Sequence, residues 1–203
     1  MSHLDNVFII MSAVAKNGII GKNGGLPWHY PEDLRRFKYN TSDRGEIRKI
    51  VVMGSKTYDS LGPLKLPGRK KIVITSRPFP YKLEDTRNYH TIDAFLDTLD
   101  FYGVVNKHIL IIGGAAIYSQ FLVKGLVDFL CITHIDKEYN GDTIFPIDIY
   151  GAQSGETNSP DWTARTSLIL DDDCHQVWYS RNTPRKELDT TARIARDLVY
   201  TSY

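Results

Sequence analysis

The sequence predicts an α/β domain built on a largely parallel sheet. Short runs rich in β-branched residues alternate along the chain with segments whose apolar residues recur at helical spacing. One run, Val7–Ala15, is almost wholly apolar, which is typical of a strand buried on both faces. The last two strand-like runs follow each other with no helical segment between them, so the sheet should end in an antiparallel pair.

The remaining strand-like runs are short, and the turn between the last two is acidic. That turn, Asp171-Asp172-Asp173, predicts a C-terminal hairpin at the edge of the sheet. In chain order, the strands predicted after Val7–Ala15 cover residues 50–53, 72–74, 108–112, 126–135, 162–170 and 175–181.

Three segments read as helices. Pro31–Thr41 begins with proline and carries Glu32 and Asp33 in its first turn, where acids suit the helix dipole. Ile92–Phe101 places its apolar residues on one face. Ala115–Val123 follows a pair of glycines.

Three further segments read as loops, and the chain ends in an extension. Residues 16–26 hold four glycines and two asparagines, while 42–49 is charged and 151–160 is rich in Gly, Ser and Asn. We expect one domain over 1–181 and a helical extension over 182–203 that packs on its own domain. A tail that binds a partner or is partly disordered is the alternative.

Composition excludes several classes of protein. The 203 residues are 42% apolar and carry a net charge of +1, so the chain has enough material for one core and no bulk attraction for nucleic acid or an anionic membrane. No apolar run approaches the length that spans a bilayer, and the start lacks the basic region of a signal peptide. The two cysteines have no zinc-ligand spacing. We therefore expect a cytoplasmic protein with free thiols and no metal.

The first candidate for chemistry is a carboxylate on an apolar helix face. Asp33 and Phe37 are four residues apart, so both lie on the same side of the predicted helix. A buried carboxylate is costly unless it is hydrogen-bonded or paired. The alternative is that Asp33 is an ordinary exposed first-turn acid, as we expect for Glu32.

The second candidate is the Gly113-Gly114 pair between a predicted strand and a predicted helix. Helix N-termini flanked by small residues accept phosphate groups. The spacing is not G-x-G-x-x-G, and a tight turn that binds nothing is the alternative.

The third candidate is a pair of short polar segments, 54–57 and 75–77, that each follow a strand. Each offers hydroxyls and one cation, Lys56 or Arg77, at the edge where open α/β sheets bind ligands. Together with the glycine pair they suit a nucleotide with an additional phosphate, although solvated surface cations are the alternative. There is no serine-nucleophile, zinc-protease or Walker motif, and His134 reads as a structural histidine.

Taken in order, these segments resemble the dihydrofolate reductase family over roughly residues 7–180. The most specific block is IGKNGGLPW at 20–28, followed by Asp33 and Phe37-Lys38. The other blocks are VMGSKTY at 52–58, LPGR at 66–69, IGGAAIY at 112–118, THI at 133–135 and GDTIFP at 141–146. All of them in this order is a far more specific signal than any one alone.

The resemblance implies an eight-stranded, mostly parallel sheet with flanking helices. It implies reduction of 7,8-dihydrofolate to 5,6,7,8-tetrahydrofolate with NADPH, by hydride transfer to C6 and protonation of N5 by water, in support of one-carbon and thymidylate metabolism. It also implies a monomer, with association through the tail as an alternative, and antifolates such as methotrexate or trimethoprim as ligands.

The resemblance assigns the substrate side of the site. Asp33 should accept hydrogen bonds from N3–H and the 2-amino group of the pterin, with Thr133 as its partner, and Arg69 should grip the α-carboxylate of the glutamate. Leu26, Trp28 and Tyr118 complete the catalytic set. The other substrate-binding residues implied are Met11, Ser12, Leu34, Phe37, Leu61, Leu66 and Ile112.

The cofactor side follows in the same way. Lys56, Ser76 and Arg77 should surround the 2′-phosphate, and Thr57 should bind the pyrophosphate. The other cofactor-binding residues implied are Ala13, Ile20, Gly21, Gly54, Ser55, Thr75, Ile112, Gly113, Gly114, Ala115, Ala116, Ile117, Tyr118 and Thr143.

This chain departs from the family pattern at several positions. Ser55 stands where many bacterial members carry Arg, and Ala116 where they carry Arg or Glu, so preference for NADPH should rest on Lys56 and Arg77. Arg36 stands where Trp or Tyr is common, so its charge should point to solvent or to the glutamate tail. A folate-binding assembly component that lacks activity, and a related reductase acting on another pterin or on a ribityl-aminopyrimidine, are the competing hypotheses.

Overall fold

The computed structural model describes residues 5–43, 48–62, 66–78, 84–102, 104, 107–149 and 161–183. The predicted loop at 151–160 and nearly all of the predicted extension at 182–203 lie outside these ranges. The domain boundary and the helical tail therefore stay predictions. None of the helices in the described ranges is long and apolar enough to cross a membrane.

In the described part of the chain, ten strands form a large mixed sheet and a small two-stranded one. In chain order they are β1 Val7–Ala15, β2 Ile19–Gly21, β3 Arg48–Gly54, β4 Lys70–Ile74, β5 Thr86–Tyr89, β6 Lys107–Ile111, β7 Phe129–Ile135, β8 Thr143–Ile144, β9 Trp162–Asp171 and β10 Cys174–Arg181. The eight-stranded sheet has the order β5-β4-β3-β6-β1-β7-β10-β9, and β2 pairs with β8. All pairs from β5 to β7 are parallel, and β10 pairs antiparallel with both β7 and β9. The predicted fold class is confirmed.

The helices are α1 Pro31–Thr41, α2 Ser55–Ser60, α3 Ile92–Phe101 and α4 Ala115–Val123. Three of these have the bounds that the sequence predicts, because their start signals are local. Pro31 occupies the first turn of α1, and the Thr91 side chain caps α3 by accepting a hydrogen bond from the Ala94 N–H at 3.1 Å.

Three short strands, β2, β5 and β8, were not predicted from the sequence. β2 lies inside the segment that we expected to be loop throughout, and β8 has only two residues, so neither is long enough to show a period. β5 reads Thr-Arg-Asn-Tyr, which carries no apolar run, and it forms because its backbone pairs with β4. Tertiary pairing created all three.

Two other predictions need correction. The strand predicted from residue 126 begins at Phe129, since Asp128 uses its carboxylate to accept a hydrogen bond from the Phe8 N–H at 2.9 Å. Lys49, predicted to lie in a solvated loop, belongs to β3 and is buried, with its ammonium donating to the Asn40 carbonyl at 2.9 Å. Burial of this lysine is tolerated because the ammonium is hydrogen-bonded.

The core lies on both faces of the sheet. Phe8 and Ile10 of β1 pack in one cluster with α3 and α4, whereas Val7, Ile9 and Met11 point the other way into a cluster that Phe37 of α1 joins. This alternation follows from the two-residue period of a strand. It explains why β1 is apolar almost from end to end.

Candidate active site

The predicted polar segments meet at one edge of the sheet. β3, β4 and β6 are parallel, so their carboxyl ends at Gly54, Ile74 and Ile111 lie side by side. Hydrogen bonds join the segments that follow, with the Gly54 N–H donating to the Gly113 carbonyl at 2.8 Å. This edge is where ligands bind in open α/β sheets.

The carboxylate of Asp33 is buried beside this edge. Its residue is only 9% exposed, and the Thr133 hydroxyl donates a hydrogen bond to Oδ1 at 2.6 Å. Burial raises the pKa of Asp33 above its ordinary value, and the hydrogen bond from Thr133 opposes that rise. Glu32 differs, since its side chain is partly exposed and forms an ion pair with Arg35. The exposed-acid alternative thus holds for Glu32 and is wrong for Asp33.

Apolar side chains surround this part of the structure in two connected clusters. Met11 and Phe37 belong to one cluster, and Leu61 and Leu66 pack against the other. Ile112 contacts both clusters and so makes them continuous. Leu34, next to Asp33, leaves 43% of its surface exposed. An exposed leucine beside a buried carboxylate is suited to covering a flat apolar ligand.

The glycine pair and Tyr118 are packed together. The Gly113–Gly114 peptide is cis, and a Cβ on Gly113, whose φ is +119°, would lie 3.1 Å from the Tyr118 hydroxyl oxygen. The Tyr118 hydroxyl donates to the Met11 carbonyl at 2.8 Å, and burial raises the pKa of this phenol. Ser12, the next residue of β1, is partly buried, and its hydroxyl donates to the Ala13 carbonyl at 3.2 Å.

Helix α4 begins directly after this pair. Gly114 is the N-cap and provides no side-chain hydrogen bond to the first turn. A Cβ on Gly114 would lie 3.5 Å from the Thr57 hydroxyl oxygen, so Thr57 lies beside the helix start. Ala115 is half-buried, Ala116 is exposed and Ile117 is buried against the core.

The two predicted cations lie at the ends of neighbouring strands. Lys56 and Arg77 are both exposed, as is Ser76. The Arg77 guanidinium donates to the Ser55 hydroxyl at 2.6 Å, and the Arg77 backbone N–H donates to the Thr75 hydroxyl at 3.2 Å. The hydroxyls that follow β3 and β4 therefore hold Arg77 at this edge.

Within the described ranges, Arg69 is a buried cation whose hydrogen bonds are all to neutral groups. It is 7% exposed, and its guanidinium donates to the Ser42 hydroxyl at 3.2 Å and to the Lys38 and Pro67 carbonyls at 3.5 and 3.4 Å. Its Nε finds no acceptor within the described ranges, and burial lowers its pKa. These long contacts leave the guanidinium able to take an anion.

The loop after β1 is anchored to the segment around β8. The Asn23 N–H donates to the Asp142 carboxylate at 2.7 Å, and the Asp142 N–H donates to the Gly21 carbonyl at 3.1 Å. The hydrogen bond from the Asn23 N–H, with that from the Thr143 hydroxyl, lowers the pKa of Asp142. Gly141 is required here, since a Cβ would come within 2.4 Å of the Gly21 carbonyl oxygen.

The far end of this loop carries two of the predicted catalytic side chains, Leu26 and Trp28. Leu26 is 53% exposed. Trp28 is buried against Tyr139, with ring centroids 5.2 Å apart. Its indole Nε1 is buried and donates to no group in the described part of the chain. Ala13 packs against the Trp28 cluster, whereas Ile20 packs into the main core.

The structure adds residues that the sequence analysis missed. Gly141 and Asp142 were quoted only as part of a motif, with no role. Asn40 and Gln176 were not singled out, yet both are buried polar residues: Gln176 hydrogen-bonds Thr133, and Asn40 hydrogen-bonds Gln176. His134, predicted to be structural, hydrogen-bonds the Tyr179 hydroxyl at 2.7 Å. Within the described ranges, no three metal-binding side chains come together.

Comparison with known proteins finds one family throughout. A family model described as "Dihydrofolate reductase" matches residues 7–164. The dihydrofolate reductase HdrB of Haloferax volcanii is 38% identical over 147 residues, which are 68% of this chain and 70% of that protein. Dihydrofolate reductase type 3 of Salmonella typhimurium is 38% identical over 137 residues, 68% of this chain and 76% of that one.

A solved structure of a dihydrofolate reductase has a similar fold. Dihydrofolate reductase from Enterococcus faecalis, complexed with NADP(H) and RAB-propyl, superimposes with a TM-score of 0.68 at 28% identity. The match covers 90% of this chain and all of the other.

Proposed function

The chain belongs to the dihydrofolate reductase family, and we propose that it reduces 7,8-dihydrofolate to 5,6,7,8-tetrahydrofolate with NADPH. The observation that carries the proposal is the Asp33 carboxylate, buried next to exposed Leu34 and held by Thr133. A carboxylate with no cation beside it is costly to bury. Hydrogen-bond donors of a bound ligand would offset the cost of burying the Asp33 carboxylate.

Substrate recognition follows from the lone pairs that Asp33 has left. The N3–H and 2-amino groups of a pterin form a two-donor edge that one ionised carboxylate can accept in parallel, as a charge-assisted pair. The Thr133 hydroxyl donates to Oδ1 of Asp33, which leaves further lone pairs of the carboxylate to accept hydrogen bonds from the ring. The apolar side chains of Leu34, Phe37 and Ile112 would contact the ring faces.

The cofactor proposal is supported by the helix start and by the cations near it. NADPH, when bound, supplies the hydride. The uncapped start of α4 at Gly114 suits a pyrophosphate, and the Thr57 hydroxyl lies beside it. Lys56 and Arg77 would hold a 2′-phosphate at the neighbouring strand ends.

Tyr118 packs against the Gly113 backbone and hydrogen-bonds the Met11 carbonyl. A Cβ at Gly113 would lie 3.1 Å from the Tyr118 hydroxyl oxygen, so glycine at this position lets the Tyr118 side chain pack directly against the backbone. The Tyr118 hydroxyl is committed to the Met11 carbonyl, and its raised pKa keeps it neutral. We therefore assign Tyr118 to packing near the reacting rings, with no proton transfer.

Protonation of N5 is assigned to water. Asp33 would be engaged by the other edge of the pterin and would polarise the ring rather than protonate N5 directly. The buried Trp28 Nε1 is a donor that can hold an ordered water near this site. The exposed Leu26, on the loop anchored by Asp142, would move over the ring and exclude bulk solvent.

Arg69 is assigned to the glutamate of the substrate. A buried guanidinium whose hydrogen bonds are long and neutral gains most from a carboxylate, which it can bind with two parallel bonds. This residue favours folate over a pterin or pyrimidine that lacks the tail.

We further propose that the enzyme acts as a cytoplasmic monomer in one-carbon and thymidylate metabolism and binds antifolates such as methotrexate or trimethoprim. Both cysteines are buried and free. Cys174 pairs with Ile135, four residues along β7 from Cys131, so the two buried thiols are roughly 13 Å apart and cannot bridge.

The test is NADPH oxidation with dihydrofolate, compared between Asp33→Asn and Glu32→Gln. Loss of the Asp33 charge should lower turnover at least about 100-fold, because a neutral amide gives weaker and mismatched bonds to the pterin. Glu32 is the matched control, since it is the adjacent acid and pairs outward with Arg35. Methotrexate should compete with dihydrofolate in the wild type. Full turnover by a folded Asp33→Asn protein would refute the mechanism.

A further inference from the structure

A chain of buried side-chain hydrogen bonds leads to Asp33 from two residues that are not assigned to the ligand, Asn40 of α1 and Gln176 of β10. The Asn40 amide donates to Gln176 Oε1 at 3.1 Å, the Gln176 amide donates to the Thr133 hydroxyl oxygen at 3.3 Å, and that hydroxyl donates to Asp33 at 2.6 Å. Gln176 is 3% exposed and lies on β10 directly opposite Thr133 of β7. We infer that Gln176 is a positioning residue, which orients the Thr133 hydroxyl so that its proton points at the Asp33 carboxylate.

The direction of the hydrogen bond from Thr133 follows from the number of protons on its hydroxyl. A threonine hydroxyl has one proton and accepts through its lone pairs. Because the Gln176 N–H occupies the hydroxyl oxygen as a donor, the Thr133 proton is directed to Asp33. The opposite orientation of the Gln176 amide would bring its NH₂ group against the NH₂ group of Asn40, two donors facing each other. Asn40 therefore sets the orientation of Gln176, and Gln176 sets that of Thr133.

The functional consequence rests on the function proposed above, in which ionised Asp33 binds the pterin. A carboxylate is a better acceptor when it is ionised, so a donor held in place favours the charged form over the neutral one. Burial acts in the opposite direction at Asp33. Gln176 thus helps to keep Asp33 ionised at a pH where burial would otherwise protonate it.

The other titratable groups around Asp33 come from three elements. Cys131 on β7 and Cys174 on β10 both interact electrostatically with Asp33, and Arg36 on α1 acts on Cys131. Burial raises the pKa of Cys131 well above its ordinary value and that of Cys174 to about 12, so both thiols stay neutral below pH 8. They therefore do not titrate together with Asp33.

The test is the titration of the Asp33 carboxyl in the full chain, followed by carbon NMR. Gln176→Met removes the donor and keeps the volume, and it should raise the titration midpoint by about half a pH unit, because the released hydroxyl solvates the carboxylate less well. As the pH is lowered, the KM for dihydrofolate should begin to rise at a correspondingly higher pH than in the wild type. Gln176→Asn, which keeps an amide but shortens it by one methylene, should give the same sign and serves if the Met variant does not fold.

A double-variant comparison separates positioning from a structural role. If Gln176 acts through Thr133, then Gln176→Met should add nothing to the larger shift of Thr133→Val, and Thr133→Ser should keep the wild-type midpoint. Ser180→Ala is the structural control, since Ser180 is equally buried on β10 and accepts a bond from Arg165 at 2.6 Å, away from Asp33. It should lower stability and leave the midpoint unchanged.

The outcomes are distinct. An unchanged midpoint in folded Gln176→Met or Gln176→Asn, or a shift that adds to that of Thr133→Val, overturns the inference. The NMR midpoint needs no turnover. A wild-type protein that does not oxidise NADPH with dihydrofolate would therefore refute the proposed function and leave this test intact.

Discussion

The buried charge of Asp33, which the proposed function requires, lowers the stability of the folded protein at neutral pH. Its folded-state pKa is raised by burial, so the folded protein holds the Asp33 proton more tightly than the unfolded chain does. The contribution of Asp33 to stability is then fully present below its unfolded pKa of about 3.9 and is lost as the pH rises through the folded value. At neutral pH the ligand-free protein carries this cost.

We therefore predict that Asp33→Asn stabilises the protein that it inactivates. Replacing the buried charge with an amide that can still accept from Thr133 should raise the free energy of unfolding at pH 7 by about 1 kcal/mol. Urea unfolding measures this, and the gain should shrink as the pH is lowered toward 4. A variant less stable than the wild type at pH 7 would show that the charge is compensated by contacts within the protein.

We predict that Lys56 and Arg77 determine the preference for NADPH over NADH. Removing both cations by Lys56→Ala plus Arg77→Ala should raise the KM for NADPH about tenfold or more and leave that for NADH nearly unchanged, because only NADPH carries the 2′-phosphate. Ser55→Ala should give a smaller change of the same kind, since Ser55 holds the Arg77 guanidinium at 2.6 Å. Steady-state kinetics with both cofactors decides this, and an unchanged NADPH KM in the double variant would place the phosphate elsewhere.

At the scale of elements, the loop after β1 depends on how closely β8 approaches it. Gly141→Ala would place a methyl group 2.4 Å from the Gly21 carbonyl oxygen and the Ile19 side chain, so the loop must move away. We expect kcat for dihydrofolate to fall about tenfold, since this loop would carry Leu26 over the ring. Gly25→Ala in the same loop is the matched control, because its Cβ would have its nearest neighbour at 3.8 Å. Equal kcat values in the two variants would show that this contact does not govern the loop.

A second element-scale prediction concerns the pairing of β7 with β10. His134 of β7 stacks on His175 of β10, with ring centroids 5.3 Å apart, and hydrogen-bonds the Tyr179 hydroxyl. Burial, together with the neighbouring His175, lowers the pKa of His134 to about 3. The unfolded chain therefore binds a proton here between about pH 6.5 and 3, so the stability contributed by neutral His134 is lost as the pH falls through that window.

The matching experiment is urea unfolding between pH 7 and 4. His134→Gln should reduce the loss of stability over this range by at least about 2 kcal/mol relative to the wild type, even if the variant is less stable at pH 7. His175→Gln should have a smaller effect, because His175 is only half-buried. Parallel stability curves for His134→Gln and the wild type would show that His134 is already charged in the folded state.

At the scale of the whole molecule, strand order assembles a site from residues far apart in sequence. The central position of β1 brings β6 and β7 to its two sides, so the glycine pair after β6 and Thr133 on β7 lie at the same edge. The hydrogen bond between Thr133 and Asp33 spans 100 residues, and that between Gln176 and Thr133 spans 43. No local pattern encodes either pairing.

The sequence by itself determined the fold class, the bounds of α1, α3 and α4, and the residues that resemble the family motifs. These follow from local physics, because periodicity, proline position and capping act within a few residues. Only the tertiary structure decided that Asp33 is buried whereas Glu32 is not, that Lys49 is buried, that β2, β5 and β8 exist, and that Gln176 lies behind Thr133. Each of these depends on which strand lies next to which, and the packing energy that selects those neighbours is summed over the whole core rather than written into any one segment.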